Sequence, residues 1–251
     1  MKLTITGITN LKTRPLQSVN LQLQEKVVVL KGEIFELYDF KPDRNKHWKI
    51  FLKLPFQGRR EWFIYQSHAR LELDPSTNRA PSIRLTIPYK SQLDNKHNPA
   101  GACNVTSLAM AIEYLSDTTG DIINKQFEDH LYRLMENNNL NRHSPQDLAK
   151  VVNEFYGFKD DFTVWGTIDR CKNHLAAGNP CVIHGYFTSF GHIIVLAGYD
   201  DKGFIVHDPY GEYFDSGYRT DLSGEFLHYS YDLIQRTCIP DGQFWVHYIS
   251  R

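Results

Sequence analysis

The first 73 residues alternate apolar and polar positions in short runs. Lys26–Tyr38 (KVVVLKGEIFELY) is rich in β-branched and aromatic residues around a turn at Lys31-Gly32, His47–Leu54 (HWKIFLKL) alternates, and Glu61–Tyr65 (EWFIY) repeats the pattern. The connectors PDRN and FQGRR are turn-forming. An apolar position at every second residue lines one face of a strand, so residues 1–73 are predicted to form a small β-barrel or sandwich. Residues 74–84 open with DPSTNRAP, which is polar, holds two prolines and has no apolar period, and they are predicted to be a linker. The period then changes. Val105, Leu108, Ala109, Ile112 and Leu115 fall at helical spacing, with Asn104 as the expected cap. Phe127–Met135 predicts a second helix. Ser144-Pro145 predicts the start of a third, with Ser at the cap, Pro at the first helical position, and Leu148, Val151 and Val152 on one face. From Pro180 onward strands return as CVIHGYF, GHIIVLAGY, GFIVHD and QFWVHYI, and Asp200–Gly203 is the turn joining the second and third. Helices followed by antiparallel strands predict an α+β domain over residues 85–251.

Composition narrows the choice of function. The chain has 251 residues, 41% of them hydrophobic, enough to fill a core and to exclude general disorder. No stretch approaches the roughly 18 uncharged apolar residues that a membrane-spanning helix needs. The N-terminal MKLTITGITNL lacks the apolar run of a secretory signal, so the chain is expected to be made in the cytoplasm with reduced thiols. Its four cysteines form no C-x-x-C pair, no zincin-type ligand spacing occurs, and there is no nucleotide loop. Neither metal nor cofactor is therefore expected. Charge divides unevenly: residues 1–75 hold 13 basic and 8 acidic side chains, net +5, and the remainder 15 and 21, net −6. Two modules with different partners are expected, the first suited to an anionic surface.

Among the cysteines Cys103 stands apart. It sits in PAGACN, where a loop with a small-residue approach runs into a predicted helix, and the positive end of a helix favours thiolate, the nucleophilic form. Burial as a small apolar residue is the ordinary use of a cysteine, and Cys181, inside an apolar strand, fits that use. A cysteine nucleophile needs a base, and with 11 histidines in the chain position must choose it. His192 opens the strand HIIVLAGY directly after a glycine. Asp208 follows GFIVH, 16 residues on, so a hairpin at residues 200–203 places the two at the same end of the sheet. His207, next to Asp208, should point to the opposite face. His184, in an apolar strand, is expected to be a core or supporting residue. Acyl transfer also needs oxyanion donors. The N–H of Cys103 is one, and Gln92 supplies a side-chain amide if its loop doubles back, with Asn95 and Asn98 as substitutes.

The order Gln92, Cys103 on a helix, His192 on a strand, then Asp208 resembles papain-like cysteine peptidases. It is closer still to the double-glycine leader peptidases and their stand-alone C-39-like relatives. IPYKSQLDN, GACNVTSLAMAI, NPCVIHGYFTSFGHIIVLAGYD and GFIVHDPYGE carry the likeness, over about residues 85–250. The resemblance implies Cys103 as nucleophile, His192 as base, Asp208 as orienting acid and Gln92 as oxyanion donor. It implies a papain-like fold, helices packed on an antiparallel sheet. The helix begins Cys-Asn where many relatives have Cys-Gly, and no transporter segments follow, so leader processing is not the expected role. The segments LKTRPLQS, HWKI and REWFIY resemble an SH3-like module, with Trp48, Trp62, Phe63 and Tyr65 as candidate groove aromatics, about half of them turned inward. The expected function is a cysteine peptidase cleaving peptide or amide bonds, of endolysin type. Its expected partners are peptidoglycan stem peptides and, through residues 1–73, an anionic cell-wall polymer. Neither nucleic acid nor a membrane span is expected, and the protein is expected to reach the wall after release. A silent binding module of the same fold, and a deamidase or transglutaminase-like enzyme using the same triad, are the alternatives.

Overall fold

The computed structural model describes residues 1–72, 79–116 and 126–251. The chain divides into two compact units between Asn78 and Arg79. Residues 74–78 of the expected linker lie outside the described residues.

The first unit is all-β. Its strands are β1 (Lys2–Ile5), β2 (Thr9–Lys12), β3 (Lys26–Val29), β4 (Ile34–Asp43), β5 (His47–Phe56), β6 (Arg59–Tyr65) and β7 (Ala69–Glu72). They pair antiparallel in the order β3-β2-β6-β5-β4-β1-β7. Alternation decides which side chains turn inward. Leu3 and Ile5 of β1 and Trp62 and Ile64 of β6 are buried, and they meet Leu11, Val29, Leu37, Ile50 and Leu52 in one core. Trp62 therefore leaves the expected groove: its indole N–H donates to the Arg59 carbonyl at 3.2 Å, which satisfies the ring's only polar atom indoors. Trp48, Phe63 and Tyr65 remain half-buried.

The second unit is α+β. Its helices are α1 (Cys103–Leu115), α2 (Phe127–Asn137), α3 (Pro145–Lys150), α4 (Ile168–Ala176) and α5 (Tyr231–Cys238). Its strands are β8 (Ile83–Arg84), β9 (Lys159–Thr163), β10 (Cys181–Gly185), β11 (His192–Tyr199), β12 (Gly203–His207), β13 (Glu212–Phe214), β14 (Gly217–Arg219), β15 (Leu227–Ser230) and β16 (Val246–Ser250). The main sheet is antiparallel in the order β15-β12-β11-β10-β16-β9, and β8, at the end of the expected linker, joins it on β11. That approach is close: a Cβ on Gly198 of β11 would lie 2.2 Å from the Ile83 carbonyl oxygen. Every residue of β11 is buried, as its unbroken apolar run requires of a strand covered on both faces. Helices α1 and α4 pack against it. Ser107 of α1 donates to the Ile193 carbonyl at 3.0 Å and so fixes the helix along β11.

Helix α3 starts as predicted, with Ser144 Oγ accepting from the Asp147 N–H at 3.2 Å and Pro145 first in the helix. Helix α1 does not. The Thr106 N–H reaches the Ala102 carbonyl at 3.1 Å, which closes the first turn two residues early and puts Asn104 inside the helix. The Asn104 amide instead donates to the Arg142 carbonyl at 2.8 Å. Four elements left no clear apolar period. In α4 only Cys171 and Leu175 are buried, β9 is the polar edge strand KDDFT, and β15 and α5 follow a loop-rich stretch. Lys90, half-buried, lies between Glu113 of α1 and Glu128 of α2, at 3.3 and 3.0 Å. Burial raises both carboxyls above their ordinary range, with Lys90 pulling the other way. Among the described residues, no helix is long and apolar enough to cross a membrane.

Candidate active site

Cys103 opens α1, half-buried, and its N–H is among the donors that a helix start leaves without an intrahelical acceptor. The ring of His192, the first residue of β11, and the backbone of Ile193 both act on its thiol and favour the anion. The His192 Nε2 lies 2.7 Å from Asp208 Oδ1, which leaves Nδ1 as the ring nitrogen that serves the thiol.

A β-bulge makes this contact possible. Tyr199 pairs with Phe204 and Gly198 with Ile205, but beyond the bulge Leu196 pairs with Val206 and Val195 with His207. Continued one residue, that register sets Asp208 beside Ile194, which shares a face with His192. Without the extra residue Asp208 would fall beside Val195, on the other face. His207 shares the Val195 face, as its adjacency to Asp208 implied. Its Nε2 donates to the Ile87 carbonyl at 2.9 Å and its Nδ1 accepts from the Phe226 N–H at 3.0 Å, a structural clip with no free nitrogen.

Asp208 is fully buried, so its charge must be met by donors. Oδ1 accepts from His192 and from the Tyr210 N–H at 3.0 Å; Oδ2 accepts from the hydroxyls of Tyr218 at 2.9 Å and Tyr229 at 3.0 Å. Burial and the Asp208 charge push both phenols far up, so they remain donors. Gly224 accepts the Asp208 N–H at 2.9 Å, and any Cβ there would sit 1.8 Å from the Asp208 carbonyl oxygen. Tyr218 and Tyr229 escape sequence reading because nothing in their spacing separates them from the other tyrosines among 14.

The electrostatics suit a thiolate. Burial works against the Cys103 anion, but the charge and hydrogen bond of His192 with the Ile193 backbone outweigh it, and the thiol falls below its ordinary value. Burial likewise opposes the imidazolium, yet Asp208 and Cys103 lift His192 to about 10. The other cysteines are buried, and Cys238 is pushed up to about 12 by burial. Gln92 is buried near Cys103, one amide N–H donating to the Pro99 carbonyl at 2.9 Å, and the second N–H is left over. Asn95 is spent on Thr106 Oγ1 at 2.9 Å. Gln92, Cys103 and His192 line one cleft of about 520 Å³, together with Gly101, His143, Tyr186, Phe190, Tyr210, Cys238 and Trp245. His184 joins this wall although the apolar run around it points to core, and Cys238 joins it from the end of α5. Among the described residues no cluster of three or more His, Cys, Asp or Glu side chains suits a metal ion.

The model of the Peptidase_C39 like family matches residues 84–239, more than half of the chain. The chain belongs to this family. In this C39-like chain the match starts at β8 and ends after α5, so it takes in Gln92, Cys103, His192 and Asp208. The crystal structure of a proposed C39-like peptidase from Bacillus anthracis aligns at 17% identity with a TM-score of 0.45, covering 67% of this chain and 98% of that one. No curated protein matches the sequence.

Proposed function

We propose that the C39-like unit is a cysteine peptidase that cleaves peptide or amide bonds through an acyl-enzyme. The observation that carries the reading is the Cys103 thiol paired, in a cleft, with an imidazole held by a buried carboxylate. The Cys103 thiolate adds to the substrate carbonyl carbon, and the N–H of Cys103 and the second amide N–H of Gln92 receive the oxyanion. The Nδ1–H of the His192 imidazolium passes its proton to the leaving amine, and the C–N bond breaks to leave a thioester. Water then gives a proton to Nδ1 and adds to the thioester. The acid product departs with the C–S bond, and the pair returns to thiolate and imidazolium. Asp208 fixes ring tautomer and orientation throughout. Cys103→Ala should abolish hydrolysis of a casein or wall-peptide mixture while circular dichroism stays unchanged; full activity in that variant sinks the reading.

The finer proposal is an endolysin-type endopeptidase acting on peptidoglycan stem peptides, released to the wall, with residues 1–73 as an SH3-like wall-binding module. The net +5 of residues 1–75 and the all-β strand pattern support it. Deleting residues 1–73 should weaken co-sedimentation with wall sacculi, and more so at low salt, where charge is least screened. Unchanged binding counts against a wall role.

A further inference from the structure

The cleft holds a polar device that the acyl chemistry leaves unused. His184 on β10 faces His247 on β16, Nε2 to Nε2 at 3.1 Å, and His247 Nδ1 lies 2.7 Å from Oδ2 of Asp160 on β9. His247 and Asp160 have fully buried side chains, whereas His184 is part of the cleft wall. Three neighbouring strands thus carry a carboxylate–imidazole–imidazole relay that starts in the core and ends at the cleft. Its protons are constrained. The carboxylate accepts from the His247 Nδ1–H, and only one proton fits between two nitrogens at hydrogen-bond distance. With His247 neutral that proton belongs to His184, whose Nδ1 then carries a lone pair. That Nδ1 has no protein partner among the described residues. Burial also pushes the His184 imidazole well below its ordinary range, so the ring stays uncharged.

Other groups on the same wall point the same way. The exposed carboxylate of Asp241 lines the cleft and is oriented by the Gln243 N–H, 3.0 Å from Oδ1. Trp245 is 38% exposed, its ring centroid lies 5.8 Å from that of His184, and its indole N–H is turned to Gln243 Oε1 at 3.0 Å. Among the described residues no lysine or arginine lines the cleft. The thiolate and imidazolium cancel, so Asp241 leaves the cleft with a net negative pole. An imidazole acceptor, a carboxylate and an aromatic face together suit a group that is cationic and rich in N–H donors.

We propose that, beside the reactive pair, His184 Nδ1, the Asp241 carboxylate and the face of Trp245 form a subsite for an alkylammonium group of the substrate. The subsite rests on the peptidase reading and adds a substrate class to it: peptides with a free amine near the scissile bond, either an α-amino terminus or a side-chain amine.

Chloromethyl ketone probes test this on the intact chain, with Cys103 alkylation at pH 7 followed by mass spectrometry. One pair compares alanine chloromethyl ketone with its Nα-acetyl form. A second compares Nα-acetyl-lysine chloromethyl ketone with its Nα,Nε-diacetyl form. The free amine should alkylate about tenfold faster than its acetylated twin in one pair, as a charge-assisted contact gives, and the responding pair names the amine. Asp241→Asn, a change at an exposed position, should bring that ratio close to one, and His184→Phe should do the same. Equal rates within both pairs, with Cys103 still reactive to iodoacetamide, overturn the subsite alone. A Cys103 inert to iodoacetamide overturns the thiol reading and the subsite with it.

Discussion

Asp208 meets His192 across two antiparallel strands, Oδ1 to Nε2 at 2.7 Å, because a one-residue bulge in β11 brings both side chains to the same face. The contact raises His192, and the charge of His192 in turn lowers Cys103. Asp208 also acts on Cys103 directly in the opposite sense, but weakly, whereas the charge of His192 is the strongest effect that favours the anion. Asp208→Ala should therefore slow iodoacetamide labelling of Cys103 at pH 6 by about tenfold for each unit by which the thiol rises. Labelling that stays fast at pH 6 refutes the coupling.

The same pair makes stability depend on pH. His192 titrates at about 10 in the fold against an ordinary 6.5, so the fold favours its charged form. That contribution is fully present below the ordinary value and is lost as pH rises through about 10. Urea midpoints of the wild-type chain should fall between pH 7 and pH 10.5 by more than those of His192→Ala. Parallel curves for the two proteins refute the assignment.

Tyr218 and Tyr229 both donate to Asp208 Oδ2. Tyr218→Phe and Tyr229→Phe should each cost about 1–3 kcal/mol in urea unfolding, since each leaves a buried carboxylate oxygen short of a donor. Each should also move the basic limb of the activity profile. A stability loss without that movement marks the tyrosine as structural only.

Gln92→Ala should lower kcat roughly a hundredfold or more with KM little changed, as removal of an oxyanion donor does. A change confined to KM would place Gln92 in ground-state binding.

Lys90 holds the buried carboxylates of Glu113 and Glu128. Lys90→Met should destabilise the C39-like unit by about 3–5 kcal/mol, because both acids lose their counter-charge. Adding Glu113→Gln and Glu128→Gln should recover part of the loss. If the triple variant is no more stable than Lys90→Met, charge is not the cause.

Much of the fold was legible in local pattern. The period-two runs of residues 1–73, the buried run HIIVLAGY and the Ser144-Pro145 helix start are short-range signals. Alternation, an unbroken apolar stretch and a capping hydroxyl act within a few residues. Asn104 was misread as a cap for the same reason in reverse: its partner, the Arg142 carbonyl, is 38 residues away, and pattern does not reach that far. Helix α4 hides because its buried face is only Cys171 and Leu175.

The sequence by itself determined where the candidate groups stand on their elements, with Cys103 at a loop-to-helix boundary, His192 at a strand start and Asp208 at a strand end. Only the tertiary structure decided which of them meet. The bulge in β11 flips the face that Asp208 shares, and with no bulge signal in the chain the hairpin alone predicts the wrong side. The donors on Asp208 and the Asp160–His247–His184 relay join residues far apart in sequence through strand register. Register is set by the packing of whole elements, and a chain read residue by residue does not contain it.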